Sequence, residues 1–245
     1  MSRFKMSNKV FELGLDAQEM AVYLYLCSIP SERPMITGTT VKVKQSTIAH
    51  KCSIKAVQTV SRIISRLKEK GLAEPYARTV KDNRQKGTYI YTVKKLSAEN
   101  SFFFVDRHIF GKLNPRQMMI YLFISKSYNQ NLGYCWNSYN DISAQTGMKR
   151  ETVIRTINEL VEMHFITKYR CKSKENRKVY VDNHYQIVFF IRLKIKKSIK
   201  KVRLFLQHKN SHTKSTKHTF NKYNYNDSIK TLNCQEVCFK NRGSP

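Results

Sequence analysis

The sequence predicts an α+β, mainly helical protein: two copies of one structural unit followed by a basic tail. Three observations predict it. Apolar residues recur at helical spacing in several short segments. Those segments occur twice, in the same order. Strand-like runs joined by basic turns close each copy.

The clearest stretch is Ser138 to Ile166, SYNDISAQTGMKRETVIRTINELVEMHFI. Ser138 fits an N-cap, because its hydroxyl can accept from an amide two or three residues on. Ile142 would anchor a short first helix, and Gly147 a sharp turn. A second helix then carries Val153, Ile157, Leu160 and Val161 on one face. Glu151, Thr152 and Arg155 lie roughly opposite, with Lys149 and Arg150 at the helix start.

The pattern has an earlier copy. LDAQEMAVYLYL (Leu15 to Leu26) aligns without a gap on LNPRQMMIYLFI (Leu113 to Ile124). Asp16 and Asn114 both occupy natural N-cap positions, and Pro115 suits a first helical position, where its missing amide costs nothing. Ile48 to Ala73 aligns on Ile142 to Ile166 if the first copy's turn is one residue longer. Val60, Ile64 and Leu67 then fall on Val153, Ile157 and Leu160, while Thr59 falls on Thr152 and Arg62 on Arg155.

In chain order, residues 1–14 form a lead-in whose Val10, Phe11 and Leu13 dock onto the first unit. Residues 15–28 read as an amphipathic helix. Residues 30–39 are punctuated by Pro and Gly and read as a loop, and Val41 and Val43 alternate with lysines as a short strand does. A helix, turn and helix occupy about 46–70, with Gly71 placed as a left-handed cap. Leu72 to Val80 and Thr88 to Val93 read as a β-hairpin with a basic tip. Phe102, Phe103 and Phe104 are too apolar for an exposed linker; they pack between the units or form a strand. The second unit ends in a matching hairpin, Ile166 to Lys172 and Lys178 to Phe190. His164 stands where the first copy has Gly71, and a left-handed backbone would be strained there, so this helix is expected to end differently. The boundaries are then 1–95 and 113–191 for the two domains, 96–112 for the connector and 192–245 for the tail. The tail opens with a basic amphipathic segment and continues as polar, core-poor sequence expected to be disordered when free.

The charge narrows the partners. There are 45 Lys and Arg against 17 acids in 245 residues, a net charge of +28. Such a field steers a protein toward polyanions: DNA, RNA or an anionic membrane surface. No run reaches the ~18 apolar residues of a spanning helix. No signal-peptide core is visible, and six scattered cysteines read as reduced thiols of a cytoplasmic protein.

Other chemistries find little support. His208, His212, His218, Cys234 and Cys238 include zinc-ligand types, but their spacings are loose and no apolar framework surrounds them. No cofactor or metal is therefore expected. Tyr121, Tyr139 and Tyr169 raise a strand-transfer nuclease, which would need closely paired metal-binding histidines that do not occur. Trp136 reads as packing against the second helix pair, with base stacking as the alternative. No group at catalytic spacing is visible, so the expected protein is not an enzyme.

Residues 10–190, and GYCWNSYNDISAQTGMKRETVIRTINELVEMHFI above all, resemble tandem winged helix-turn-helix proteins. The second unit is similar to the winged-helix unit of replication-associated proteins of plasmids, phages and other bacterial mobile elements. The resemblance implies that each second helix enters a DNA major groove, the two about 34 Å apart, one helical turn. The tail has no counterpart in it.

That arrangement assigns roles. Arg62 and Arg155 can pair with guanine O6 and N7, or remain solvated charges. Gln58, Thr59, Arg66 and Thr152 share the recognition faces. Lys55, Lys149 and Arg150 sit near helix starts and suit phosphates, while Arg84, Lys86, Lys174, Arg177 and Lys178 on the wing tips would hold the backbone or enter the minor groove. Glu151 and Glu159 either accept from cytosine N4 or are plain exposed acids. The expected function is sequence-specific binding of double-stranded DNA at an origin or operator of a mobile element, in replication initiation or transcription regulation, with no membrane partner. A homodimer or replication proteins remain open as further partners. The alternative is a non-specific nucleic-acid binder driven by charge.

Overall fold

Two largely buried helices form the centre of the fold. A computed structural model describes residues 3–31, 33–35, 38–80, 86–99, 101–172 and 180–188. The chain divides into two compact units, Met1–Arg170 with Asp182–Val188, and Cys171–Val181 with Phe189–Pro245. Within the second, only the ends of two strands are described.

Helix α1 spans Ala17–Ser28 and helix α4 spans Pro115–Ser127. Each enters through a capping box. Asp16 Oδ1 accepts from the amides of Gln18 and Glu19, both at 2.8 Å, and Glu19 Oε2 accepts from the Asp16 amide at 2.9 Å. Asn114 and Gln117 repeat the exchange at 3.0 Å in both directions. The amphipathic helix expected over 15–28 is instead buried on nearly every face: Met20 to Leu24 are all in the core, as are Met118 to Ile124. A helix packed from several sides has no need of a polar face. Here α1 packs against α4 and against α3, which spans Val57–Glu69.

The first helix pair is α2 (Gln45–Lys51) and α3 (Val57–Glu69); the second is α5 (Tyr139–Thr146) and α6 (Arg150–Glu162). The apolar stripes face inward: Val60, Ile63, Ile64 and Leu67 on α3, and Val153, Ile157 and Leu160 on α6. Ser138 caps α5 in a reciprocal box with Asp141. Gly147 makes the turn with φ +66°, and Ser53 serves the longer first turn with φ +53°.

Strands β2 (Arg33–Met35), β3 (Gly38–Val43), β4 (Ala73–Val80) and β5 (Lys86–Val93) form an antiparallel sheet in the order β2-β3-β5-β4. The segment 30–39, read from its Pro and Gly as a loop, thus contributes a short hairpin, with Arg33 opposite Thr40 and Met35 opposite Gly38. In the second copy the sheet order is β7 (Cys135–Trp136), β9 (Tyr180–Ile187) and β8 (Ile166–Lys172).

Strand β1 (Arg3–Ser7) pairs with β6 (Phe102–Asp106), placing Met6 opposite Phe103. The three phenylalanines therefore form a strand, with Phe103 buried and Phe104 exposed as the pleat requires. Beyond β1, Phe11 meets Phe103 and Phe123 of α4, at ring distances of 6.2 and 6.0 Å. The lead-in therefore reaches the second copy's central helix, not the first unit alone as its sequence suggested.

Helices α3 and α6 end alike. Leu72 N–H donates to Leu67 O and Gly71 N–H to Lys68 O; Phe165 and His164 repeat this onto Leu160 and Val161. This is a Schellman motif in both copies. His164 takes φ +58° and Gly71 φ +65°, so the different ending expected at His164 does not occur. The side chain extends into solvent, and His tolerates this region better than most residues.

Cys27, Cys52 and Cys135 are buried free thiols. Burial pushes Cys27 and Cys135 up to about 12, and raises Cys52 as well.

Candidate nucleic-acid interface

Opposite its buried stripe, α3 exposes Gln58 and Arg62, with Thr59 half-buried beside them. Arg62 makes no ion pair among the described residues. Ser61 Oγ donates to Gln45 Oε1 at 3.0 Å, tying this face to the start of α2. Lys55 stands exposed in the turn before α3.

The sequence groups Arg66 with these residues. The structure places its guanidinium against α1, with Nη1 3.1 Å from Asp16 Oδ2 and Nε 3.2 Å from Glu19 Oε1. Lys70 Nζ reaches the same Glu19 at 2.8 Å and donates to Gly14 O. Arg66 therefore ties α3 to the start of α1, with Arg62 exposed on the same helix.

On α6, Arg150, Glu151 and Arg155 are exposed, Thr152 is half-buried, and Lys149 is exposed at the N-cap. Ile154, Asn158 and Arg155 share a shallow concavity with Glu151, Glu159 and Glu162. Arg155 Nε lies 3.9 Å from Glu159 Oε1, a loose pair one helical turn apart. Glu159 in turn accepts from Gln117 Nε2 at 2.8 Å. The α6 face is thus mixed in sign, and that of α3 is basic.

A second basic group flanks α6. Lys168 on β8 donates to the hydroxyl of Tyr139, the first residue of α5, and its ammonium lies 4.8 Å from the Tyr139 ring centroid. The Arg150 guanidinium lies 5.7 Å from the same ring. Three elements so converge on one aromatic residue bearing two cations. The sequence points to Arg150 but not to Lys168 or Asn158. Lys168 lies on the strand before the wing tip, where attention to the tip's charge run passes over it. Asn158 stands one turn past Arg155, and that spacing was a usable signal.

Of the wing residues, Lys86 opens β5. Arg84, Lys174, Arg177 and Lys178 lie outside the described residues, as do the tail and its five His and Cys candidates for zinc. Between β4 and β5, Arg78 lies 4.5 Å above the Tyr89 ring and donates through Nε to Gly87 O at 3.0 Å.

Trp136, expected to pack against the second helix pair, is 51% exposed and leans on Tyr134, whose ring stacks on His184 at 4.5 Å. Its strand, β7, is only two residues long and leaves the indole at the sheet edge. Tyr121 is buried, so its phenol is out of reach of a phosphodiester. Among the described residues, no group of three metal-ligating side chains occurs and no helix is long and apolar enough to cross a membrane.

No curated protein matches the chain. Residues 111–166, from the approach to α4 through α6 to the first residue of β8, match the family model described as a helix-turn-helix domain. The chain therefore carries a helix-turn-helix domain at residues 111–166.

Proposed function

We propose that the protein binds double-stranded DNA sequence-specifically through two winged helix-turn-helix domains, residues 1–95 and 113–191, joined by 96–112. It binds rather than catalyses, and it acts in the cytoplasm at a replication origin or operator of a mobile element, in initiation or in transcription regulation. The observation that carries the reading is the helix-turn-helix of residues 111–166, whose second helix holds Arg155 and Asn158 outward and is flanked by Arg150, Lys149 and Lys168. Outward Arg and Asn suit guanine and adenine edges, and the flanking cations suit phosphates.

The carboxylates of α6 favour this over binding driven by charge alone. Glu151, Glu159 and Glu162 on the concave face repel a phosphate backbone wherever no base edge compensates. A surface meant only to hold polyanions gains nothing from them.

Selection from random duplexes with the full chain tests the proposal. A recovered motif, with binding that survives removal of residues 192–245, is the expected result. Absence of any motif, with all binding lost on that truncation, would leave only charge-driven binding. Autonomous replication of a circle carrying the gene and its flanks separates initiator from regulator.

A further inference from the structure

The two halves meet reciprocally. The starts of α1 and α4 line one shallow pocket, and its six lining residues are three repeat-equivalent pairs: Asp16 with Asn114, Ala17 with Pro115, Gln18 with Arg116. Away from that centre, the first copy's helix-to-helix turn touches the approach to α4. Lys51 O accepts from Gly111 N–H at 2.7 Å, and Ser53 Oγ donates to Leu113 O at 3.1 Å. On the other side, Gln145 to Met148, the second copy's turn, share a groove with Gly14 and Leu15, the approach to α1. Lys51 corresponds to Gln145 in the repeat, and Leu113 to Leu15.

Two copies related by translation along a duplex would not meet this way. One copy's turn would touch the other's helix approach, and the reverse contact would be missing. When turn meets approach in both directions, and the helix starts meet their own equivalents in the middle, the relation is two-fold. Helices α3 and α6 are then related by the same axis.

We infer that the DNA target is an imperfect inverted repeat, read by one chain as if by a two-fold dimer. The inference rests on the DNA-binding reading above and adds the symmetry of the site. A duplex offers local dyads perpendicular to its axis. Two reading helices related by a two-fold axis dock alike only when their axis falls on such a dyad, so their half-sites run in opposite directions.

The residues on the reading faces say where the repeat is imperfect. Thr59 and Arg62 match Thr152 and Arg155, so the bases they meet repeat across the dyad. Gln58 matches Glu151, and Ser65 matches Asn158, so the bases there differ. Gln suits adenine and Glu suits cytosine.

The test starts from the selected motif of the full chain. Two duplexes are compared by titration: the motif itself, and one in which a single half-site is reversed at unchanged centre-to-centre spacing. Reversal is expected to weaken binding about 100-fold or more, as much as scrambling that half-site does, because each mismatched base pair costs severalfold. Equal binding to the reversed duplex, or a selected motif made of direct repeats, overturns the inference and leaves the DNA reading standing. No motif at all defeats that reading, and this inference with it. As a second measurement, Gln58→Glu should make the selected motif more symmetric across its centre; an unchanged asymmetry counts against the two-fold assignment.

Discussion

The Arg66 guanidinium lies 3.2 Å from Oε1 of Glu19, whose side chain is only 4% exposed. In the second copy the same two positions hold Gln117 and Glu159, joined by a hydrogen bond of 2.8 Å. The bridge between the central helix and the second helix of each pair is kept while its chemistry changes from an ion pair to an amide–carboxylate contact. A near-buried carboxylate is tolerable only while its cations stay in place.

Arg66→Glu should therefore destabilise the protein by about 3 kcal/mol, since it sets a second acid against Glu19. Adding Glu19→Gln installs the second copy's own pair and should recover at least about 1 kcal/mol. Urea unfolding of the two single variants and the double closes the cycle. Strict additivity would show that Arg66 does not act through Glu19.

The two Schellman endings supply a matched comparison. Gly71 has φ +65° with no atom within 4 Å of an added Cβ, so Gly71→Ala costs backbone strain alone, about 1 kcal/mol. His164 already bears that strain at φ +58°. His164→Gly should stabilise by up to about 1 kcal/mol, less the entropy that glycine adds to the unfolded chain. Shifts of the urea midpoint in opposite directions are expected, and a loss of stability in both variants would exclude strain at His164.

Much of this was legible in the sequence, because the signals were local. Asp16, Asn114 and Ser138 each announced a helix start, and Gly71 and Gly147 each announced an end, through groups only a few residues away. The apolar stripes of α3 and α6 followed from spacing alone. What escaped depended on partners far along the chain. The pairing of β1 with β6 joins residues about a hundred positions apart, so nothing near Phe4 signals it. The all-round burial of α1 needed α4 on its far side. Arg66 looks like any outward arginine until Asp16 and Glu19 are seen beside it. Trp136 looked like core because tryptophan is large and apolar, but its short edge strand leaves it half in water.

Stability should fall at alkaline pH, and the buried thiols set the direction. Burial holds the protonated forms of Cys27 and Cys135 up to about 12, against an ordinary thiol value of 9.0. Below that ordinary value both folded and unfolded chains keep these protons, and the thiols add no slope. Above it the unfolded chain releases them while the folded chain does not, so stability falls until the folded thiols ionise in turn. Each thiol contributes at most about 1.4 kcal/mol per pH unit over that window. Under reducing conditions, Cys135→Ala should flatten the decline in unfolding free energy between about pH 9 and 10.5 by up to that amount. An unchanged slope would mean that the thiol is not protected.

Arg155 and Lys168 should fail in different ways. Arg155 points outward from α6 and is tethered only loosely, at 3.9 Å from Glu159, so it can leave that carboxylate for a base edge. Lys168 is fixed on the Tyr139 hydroxyl beside Arg150, a geometry suited to a phosphate rather than to a base. Arg155→Ala should relax base choice at one position of the selected motif and weaken the preferred duplex by about 1–3 kcal/mol. Lys168→Ala should weaken all duplexes alike and lower the slope of log affinity against log salt by about one, the mark of one lost phosphate contact. Tyr139→Phe should fall between the wild type and Lys168→Ala, because the ammonium loses its anchor but keeps its charge. The roles given to these two residues would be reversed if Lys168→Ala altered base choice while Arg155→Ala changed only the salt dependence.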